Sequence, residues 1–410
     1  MRVYLVSLSI LLSVLACKGN SLAKNSNPAG DNETIKKAKN LVEHKKYYSA
    51  FQLLEEADTG NAKPDIVLLK EDILLNYFVT SISHQMFSLM DIKEDENIED
   101  YRGKEGTSSM VVFEPDKILN KLIKKYPTNY KLYEGLGDFY ESAHNHYGSN
   151  WLIGEDSLND LIRNNYQMAI DHDAADYHAY FRVAVYLIQD DKAYRKAITY
   201  LLKSHTMNKD YTDATYNLGY AYLLCDSRDT AIMYAKIADD EYKDLSLKGD
   251  AERMIGEIYG EKNDTANSVR YYEMANRTDT GNYYNIKSLL NIYVVTHNPK
   301  RKELLKTFFA LGPGNPTIYN DLYQIYSDSI QGFEVIAFYK AQIPLYTGND
   351  KVQGSLYFYL ARTYLSYDKK IAKDYCLKAK ETFTKIFDKD NGVFAAIDKL
   401  IEYADGKEDK

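Results

Sequence analysis

Cysteine is scarce in this 410-residue chain, which has only Cys17, Cys225 and Cys376. No two of them have the short spacing of a zinc-ligand or redox pair, so the sequence predicts no metal site built on thiolates. Cys225 and Cys376 fall in different segments far apart along the chain, which disfavours a disulfide between them. We expect both to be small buried residues of helices.

Proline is also scarce, and sustained alternation of apolar and polar residues is missing. The chain has 8 prolines, against 39 tyrosines. Proline breaks helix interiors, so its rarity permits many helices, and the missing alternation removes the main sequence sign of strands. Helix is therefore the one element that the patterns predict.

Positive charge is not in excess, and the common catalytic motifs are missing. The formal net charge is −8 with a pI near 5.6, which disfavours nucleic-acid binding because that requires a basic surface. There is no glycine-rich phosphate loop after a strand, no Gly-x-Ser-x-Gly elbow and no His-Glu-x-x-His pair. We expect a protein that is not an enzyme and has no cofactor and no metal site.

A large-small-large pattern does recur. Leu218-Gly219-x-x-Tyr222 is followed by small residues on the next predicted helix, and Ile255-Gly256-x-x-Tyr259 repeats the pattern 37 positions later. Glycine at such a position lets a second helix approach closely, and the tyrosine fills the space beside it. A helical pair of this length cannot bury its apolar face alone and must stack on neighbours.

This pattern resembles the tetratricopeptide repeat (TPR) family, whose unit is a helical hairpin of about 34 residues. Similar but weaker copies cover most of 31–389, and an ordinary helical bundle is the alternative. The resemblance implies an all-α fold, a right-handed α-solenoid of tetratricopeptide-like hairpins. The predicted parts are a signal peptide (1–16), a tether (17–30), N-terminal repeats (31–129), central units (130–281), and divergent C-terminal units with a terminal helix (282–410).

The start of the chain predicts a secretion signal. Arg2 precedes an apolar stretch, Val3–Leu15, that is too short to span a bilayer comfortably. Ser13-Val14-Leu15-Ala16-Cys17 resembles a bacterial lipoprotein cleavage site, which implies acylation (diacylglycerol and palmitate) of Cys17; an uncleaved anchor or an ordinary signal is the alternative. Lys18 and the lack of an acidic run suggest the outer membrane and its periplasmic face.

Two segments interrupt the repeats. The acidic run at 91–110 is predicted to be an exposed loop between a long helix, Asp65–Met90, and a short one, Pro115–Tyr126. The segment 141–157 is predicted to be an insert loop within one unit, and it carries His144, His146 and Trp151. It could pack back on the solenoid or contact a partner through Trp151; a metal at the two histidines is disfavoured because they face different ways on a helix.

The family resemblance also implies where a partner would bind. In that family the first helix of each hairpin lines a groove, and its residues between the packing positions point into it. Lys287 and Asn291 have the spacing of a clamp that grips a carboxylate, although the next unit places Asp321 beside the expected asparagine. Carried onto this sequence, the groove positions include Glu134, Asp138, Glu141, Arg182, Glu257 and Asn320. The groove positions expected to bind a partner are Tyr216, Tyr220, Arg253, Lys287, Asn291, Gln324 and Arg362.

Three functions are compatible with these features. The first is a membrane-anchored scaffold or adaptor that binds a protein or peptide partner in the bacterial cell envelope, within an outer-membrane assembly or secretion complex. The second is a glycan-binding outer-membrane lipoprotein of a nutrient-uptake system, for which the many tyrosines could provide a sugar platform. The third is a metal-dependent enzyme at His144 and His146. The sequence favours the first.

Overall fold

The structure is a computed structural model that describes residues 28–104, 108–148, 155–327 and 332–406. Within these ranges there are nineteen α-helices and one small sheet. The helices are α1 (Pro28–Glu43), α2 (Tyr47–Ala57), α3 (Pro64–Tyr77), α4 (Pro115–Lys125), α5 (Lys131–Tyr147), α6 (Glu155–Asp171), α7 (Tyr177–Gln189), α8 (Tyr194–Met207), α9 (Thr212–Leu224), α10 (Arg228–Glu241), α11 (Leu245–Glu261), α12 (Thr265–Thr278), α13 (Tyr283–Val295), α14 (Arg301–Ala310), α15 (Pro316–Ser327), α16 (Gly332–Gln342), α17 (Asp350–Tyr364), α18 (Lys369–Phe383) and α19 (Gly392–Ala404). The strands are β1 (Thr80–Ile82), β2 (Met86–Leu89) and β3 (Ser109–Val112).

The fold is an all-α helical repeat. Consecutive helices pack as hairpins, most extensively α5 with α6, α7 with α8, α9 with α10, α11 with α12, and α17 with α18. The second helix of one hairpin also packs on the first helix of the next, as α8 does on α9 and α10 on α11. The chain divides into two compact units between Ala175 and Asp176.

The turns within successive hairpins of the second unit share one backbone conformation. Lys192, Asp226, Asn263 and His297 all have positive φ, between 51° and 61°, and they recur at intervals of 34, 37 and 34 residues. The carbonyls of Tyr222, Tyr259 and Tyr293 each accept a hydrogen bond from the amide five residues later. A left-handed residue with such a bond ends a helix and satisfies its last carbonyls. The repeat is therefore present in the backbone as well as in the side chains.

The predicted small-large complementarity is confirmed at two glycines. A Cβ atom on Gly256 would lie 2.9 Å from the ring of Tyr272, and one on Gly137 would lie 2.5 Å from the ring of Tyr166. The two glycines make the same contact, but the partner is 16 residues away in the first case and 29 in the second. The additional residues belong to the segment 141–157.

That segment is not a loop throughout. Helix α5 continues to Tyr147 and α6 begins at Glu155, so both ends of the segment are helical. His144 and His146 therefore lie on a helix, and the prediction that they belong to a loop is wrong. Trp151 lies outside the described residues. At the other end of the chain, α1 begins at Pro28, inside the span predicted to be a tether.

The predicted long helix Asp65–Met90 is also wrong. Helix α3 ends at Tyr77, and the chain then forms an antiparallel sheet with strand order β1-β2-β3. Phe87 and Leu89 are fully buried on one face, while Met86 lies on the other face and is exposed. Ser83 and His84 both have positive φ, the geometry of the tight turns that suit β-hairpins. The apolar residues Phe87 and Leu89, which suggested a helix, are therefore buried residues of a strand.

The described parts of the acidic run, 91–104 and 108–110, are more ordered than an exposed loop. Ile92 and Ile98 are buried, and the Lys45 ammonium donates to the carbonyls of Glu94 and Glu96, each at 2.6 Å. Its last two residues, Ser109 and Met110, begin β3, which continues to Val112. The short helix after it agrees with the prediction, since α4 covers Pro115–Lys125. Helix α16 ends at Gln342, and Pro344 lies in the short 3-10 helix that follows, Ile343–Tyr346, because proline cannot continue an α-helix.

Candidate functional site

The first helices of successive hairpins in the second unit lie beside one another. α9 contacts α11, α11 contacts α13, α13 contacts α15, and α15 contacts α17. We call the side of these helices that carries the predicted groove residues the first-helix face. Its predicted members are Tyr216 and Tyr220 on α9, Arg253 on α11, Lys287 and Asn291 on α13, Gln324 on α15, and Arg362 on α17.

Side-chain interactions join α9 to α11. Burial raises the pKa of Tyr216 to about 12, and the positive charge of the Arg253 guanidinium on the neighbouring helix α11 acts in the opposite direction. Arg253 Nη2 is 2.9 Å from Asp250 Oδ1, one turn earlier on the same helix. Tyr220 is 40% exposed and offers an aromatic ring at this end of the face. The structure thus brings Tyr216, Tyr220 and Arg253 together.

The next contacts join α11 to α13 and α13 to α15. The Arg253 guanidinium lies 5.9 Å from the centre of the Tyr284 ring, and Tyr284 is 61% exposed. Lys287 Nζ is 2.8 Å from Asp321 Oδ1, and the Tyr283 hydroxyl donates to the same carboxylate. Lys287 is therefore already paired with an acid of its own chain.

The last contacts join α15 to α17. Arg362 Nη1 donates to Asn320 Oδ1 at 2.9 Å, and its guanidinium lies 4.3 Å from the centre of the Tyr323 ring and 5.3 Å from that of Tyr359. Such stacking holds a guanidinium in place without neutralising it. Five helices are thus linked into one continuous row of side chains.

Two predicted residues make no such link. Asn291 and Gln324 are exposed, one turn beyond Lys287 and Asn320 respectively. Sequence reasoning missed the aromatic members Tyr284, Tyr323 and Tyr359. Tyr284 could have been found, because it lies three residues before Lys287 and therefore on the same side of α13.

A second polar cluster lies in the first unit. His84 is fully buried, with Nδ1 2.8 Å from Ser81 Oγ and Nε2 3.0 Å from Ser142 Oγ. The Tyr147 hydroxyl is 2.9 Å from Ser81 Oγ, and the His146 ring stacks on His84 with 5.5 Å between centres. Burial lowers the pKa of His84 to about 4, and His146 adds to the effect. These bonds fasten the turn between β1 and β2 to the end of α5.

The predicted insert residues have different surroundings. His146 lies against His84 and against the Phe78 ring, with 5.2 Å between centres, whereas His144 is at the other side of the helix beside Asn145. In the part of the chain that the structure describes, no group of three or more His, Cys, Asp or Glu side chains could hold a metal ion. None of the described helices is long and apolar enough to cross a bilayer. Cys17 lies outside the described residues.

Comparisons with known proteins return helical repeat structures. The chain is similar to a tetratricopeptide repeat protein from Parabacteroides merdae, with 12% identity over 66% of this chain and 98% of that one and a TM-score of 0.40. It is also similar to the C-terminal part of a TPR repeat-containing protein from Cytophaga hutchinsonii (12% identity, 63% and 92% covered, TM-score 0.41) and to MamA (22% identity, 40% and 85% covered, TM-score 0.33). No family model and no curated protein matches the chain. At TM-scores this low, the assignment of the fold depends on the helix contacts of the chain itself.

Proposed function

We propose that this chain is a lipid-anchored scaffold of the bacterial cell envelope that binds an extended segment of a partner protein along its first-helix face. The observation that carries the proposal is the continuous row of side chains from Tyr216 to Arg362 across five neighbouring helices. Aromatic rings that are partly exposed and held by cationic neighbours are typical of surfaces that bind polypeptides.

The anchor is supported by the sequence from Ser13 to Cys17. Acylation of Cys17 would attach the chain to a membrane, since two or more acyl chains are needed for stable attachment. Residues 18–27 are then available as a tether before α1, and we place the protein on the periplasmic face of the outer membrane. The scaffold has no catalytic role and no cofactor in this proposal.

Photo-crosslinking in intact envelopes tests the binding face. A photoreactive phenylalanine analogue replaces Tyr220 or Tyr284 on the face and, as a matched control, Met233 on the second helix α10, which is 48% exposed. We expect the same crosslinked polypeptide from both face positions and none from position 233. Equal crosslinking from all three positions, or none from the two on the face, would reject the proposal.

Metabolic labelling with palmitate tests the anchor separately. We expect the wild-type chain to incorporate label and to sediment with membranes, and Cys17→Ala to do neither. Absence of label from the wild type would contradict acylation of Cys17. Membrane sedimentation of the unlabelled Cys17→Ala would show that acylation is not what holds the chain on the membrane. Neither result would alter the crosslinking result.

A further inference from the structure

Some charged side chains on the first-helix face form ion pairs within the chain. Arg253 is paired with Asp250 at 2.9 Å, and Lys287 is paired with Asp321 at 2.8 Å. The two pairs lie on α11 and between α13 and α15. A partner gains little Coulomb energy from Arg253 or Lys287, because an acidic side chain of this protein already neutralises each of them. The pair with Asp321 also removes Lys287 as the cation of a carboxylate clamp.

Glu257 is a charge on this face that no ion pair within the described residues neutralises. It lies on α11, one turn beyond Arg253, and its side chain is exposed. Its pKa is nevertheless raised, because neighbouring protein displaces part of its hydration, and Arg253 opposes this effect. A carboxylate that is accessible but incompletely hydrated is favourable for a bound cation.

Arg362 is the opposite charge, near the other end of the face. Its hydrogen-bond partner, Asn320, is neutral, and the rings of Tyr323 and Tyr359 hold the guanidinium by stacking. No ion pair joins Arg362 to another described residue. A guanidinium fixed in this way retains free N–H donors in the planar arrangement that suits a carboxylate.

The distance between these two charges follows from the helix order. α11, α13, α15 and α17 are consecutive neighbours, and packed helices lie about 9 Å apart. Three such steps separate Glu257 from Arg362 by about 27 Å. An extended polypeptide covers this distance in about eight residues at about 3.3 Å per residue. Between the two ends it would pass the rings of Tyr284 and Tyr323.

We infer that the first-helix face selects an extended peptide with a basic side chain at Glu257 and a carboxylate at Arg362, about eight residues apart. The inference rests on the proposed function, because it specifies which segments the face accepts. The carboxylate can be an Asp or Glu side chain or a peptide C-terminus, since the guanidinium recognises the same group in each.

Selection from a random library of displayed twelve-residue peptides tests the inference, with the full acylated chain in detergent as bait. The baits are the wild type, Glu257→Lys, Arg362→Glu and the double variant that carries both changes. The matched control is Glu303→Lys on α14, an exposed residue outside the face whose partner is Lys306 at 3.2 Å. Circular dichroism confirms that every bait keeps the helical content of the wild type.

We expect the wild type and the control to enrich peptides with opposite charges about eight positions apart. Glu257→Lys should replace the basic preference by an acidic one, and Arg362→Glu should do the reverse at the other end. Synthetic versions of the selected peptides, with free or amidated C-termini, identify the source of the carboxylate. Neutralising either peptide charge should weaken binding about fivefold, as for exposed ion pairs. A peptide in which both charges are reversed should bind best to the double variant.

Other outcomes separate this inference from the proposed function. Enriched peptides without paired charges, or a preference that the substitutions do not reverse, would overturn the inference and leave a peptide-binding face. Enrichment of no peptide by any bait would overturn both.

Discussion

Gly137→Ala is the sharpest test of how the hairpins interlock. A Cβ at this position would lie 2.5 Å from Cε1, 2.6 Å from Cδ1 and 3.0 Å from Cζ of Tyr166. The tyrosine is fully buried, and its hydroxyl oxygen lies 2.8 Å from Asp138 Oδ1 and 2.7 Å from Glu141 Oε2. The ring therefore cannot move away without breaking a buried hydrogen bond.

The magnitude follows from three effects. Alanine is favoured over glycine in a helix interior by about 1 kcal/mol. Overpacking a close contact costs about 1–3 kcal/mol, and weakening the buried hydrogen bond costs about 1–2 kcal/mol more. We therefore expect Gly137→Ala to destabilise the hairpin α5–α6 by about 2 kcal/mol.

Two further glycines provide the graded comparison. Gly256→Ala meets the half-buried ring of Tyr272 at 2.9 Å, so it should cost less, about 1 kcal/mol. Gly260→Ala meets only Ser268 Oγ at 3.3 Å and Cβ at 4.0 Å, so it should be neutral or stabilising.

Native-state hydrogen exchange measures these local effects, because a repeat protein of two units need not unfold in one step. A loss of 2 kcal/mol accelerates the exchange of protected amides in α5 and α6 about 30-fold. If the amides of α5 and α6 exchange as slowly in Gly137→Ala as in the wild type, these two helices do not approach each other as closely as described here.

Three other substitutions test the first unit. Glu71 is buried, its Oε1 has no hydrogen-bond partner, and burial raises its pKa well above the usual value, with Asp138 adding to the effect. The folded state therefore loses stability as pH rises above about 4.5. Urea unfolding should show that Glu71→Gln stabilises the protein by about 1 kcal/mol at pH 7 and has no effect near pH 4. The control Glu56→Gln, at an exposed position, should have no such effect at either pH. Burial lowers the pKa of His84 from 6.5 to about 4, so the folded state loses stability, up to about 3 kcal/mol, as pH falls through that window. Asparagine tolerates the positive φ at this position. Unfolding of His84→Asn at a series of pH values should therefore lack this loss. The buried Lys70 ammonium donates hydrogen bonds to Glu55 at 2.6 Å, to Asp58 O at 2.7 Å and to Asn61 at 2.8 Å. Denaturant unfolding should show that Lys70→Met costs about 3 kcal/mol of stability, because it leaves these acceptors without their cation. Lys37→Met, at an exposed position, should cost almost nothing. Equal effects of Glu71→Gln and Glu56→Gln, or of Lys70→Met and Lys37→Met, would refute the corresponding reasoning. An equal loss of stability at low pH in His84→Asn and the wild type would refute the reasoning on His84.

The repeat architecture was predictable because helical packing leaves a regular pattern. Gly219 and Gly256 mark places where a neighbouring helix approaches closely, and the backbone turns at Asp226 and Asn263 follow the same period. The family resemblance also placed Tyr216, Arg253 and Arg362 on first helices that the structure brings side by side. Whether they contact a partner remains a prediction.

The rest depended on contacts between distant residues. The sheet was missed because its strands have only three or four residues each, too short for their alternation to outweigh the apolar content around them. His84 gave no local signal, since Ser142 and Tyr147 approach it from a helix some sixty residues further along the chain. The pairing of Lys287 with Asp321 likewise depends on how α13 meets α15.

A ladder of distances along the first-helix face tests the central claim most directly. Spin labels are placed in pairs at Tyr220, Glu257, Asn291 and Gln324, one on each of α9, α11, α13 and α15, after Cys17, Cys225 and Cys376 are replaced by alanine. Electron paramagnetic resonance should give separations that grow by about 9 Å per helix, reaching about 27 Å between positions 220 and 324. Distances that do not increase in chain order, or labels at 257 and 291 separated by several helix diameters, would contradict a continuous face built from neighbouring first helices.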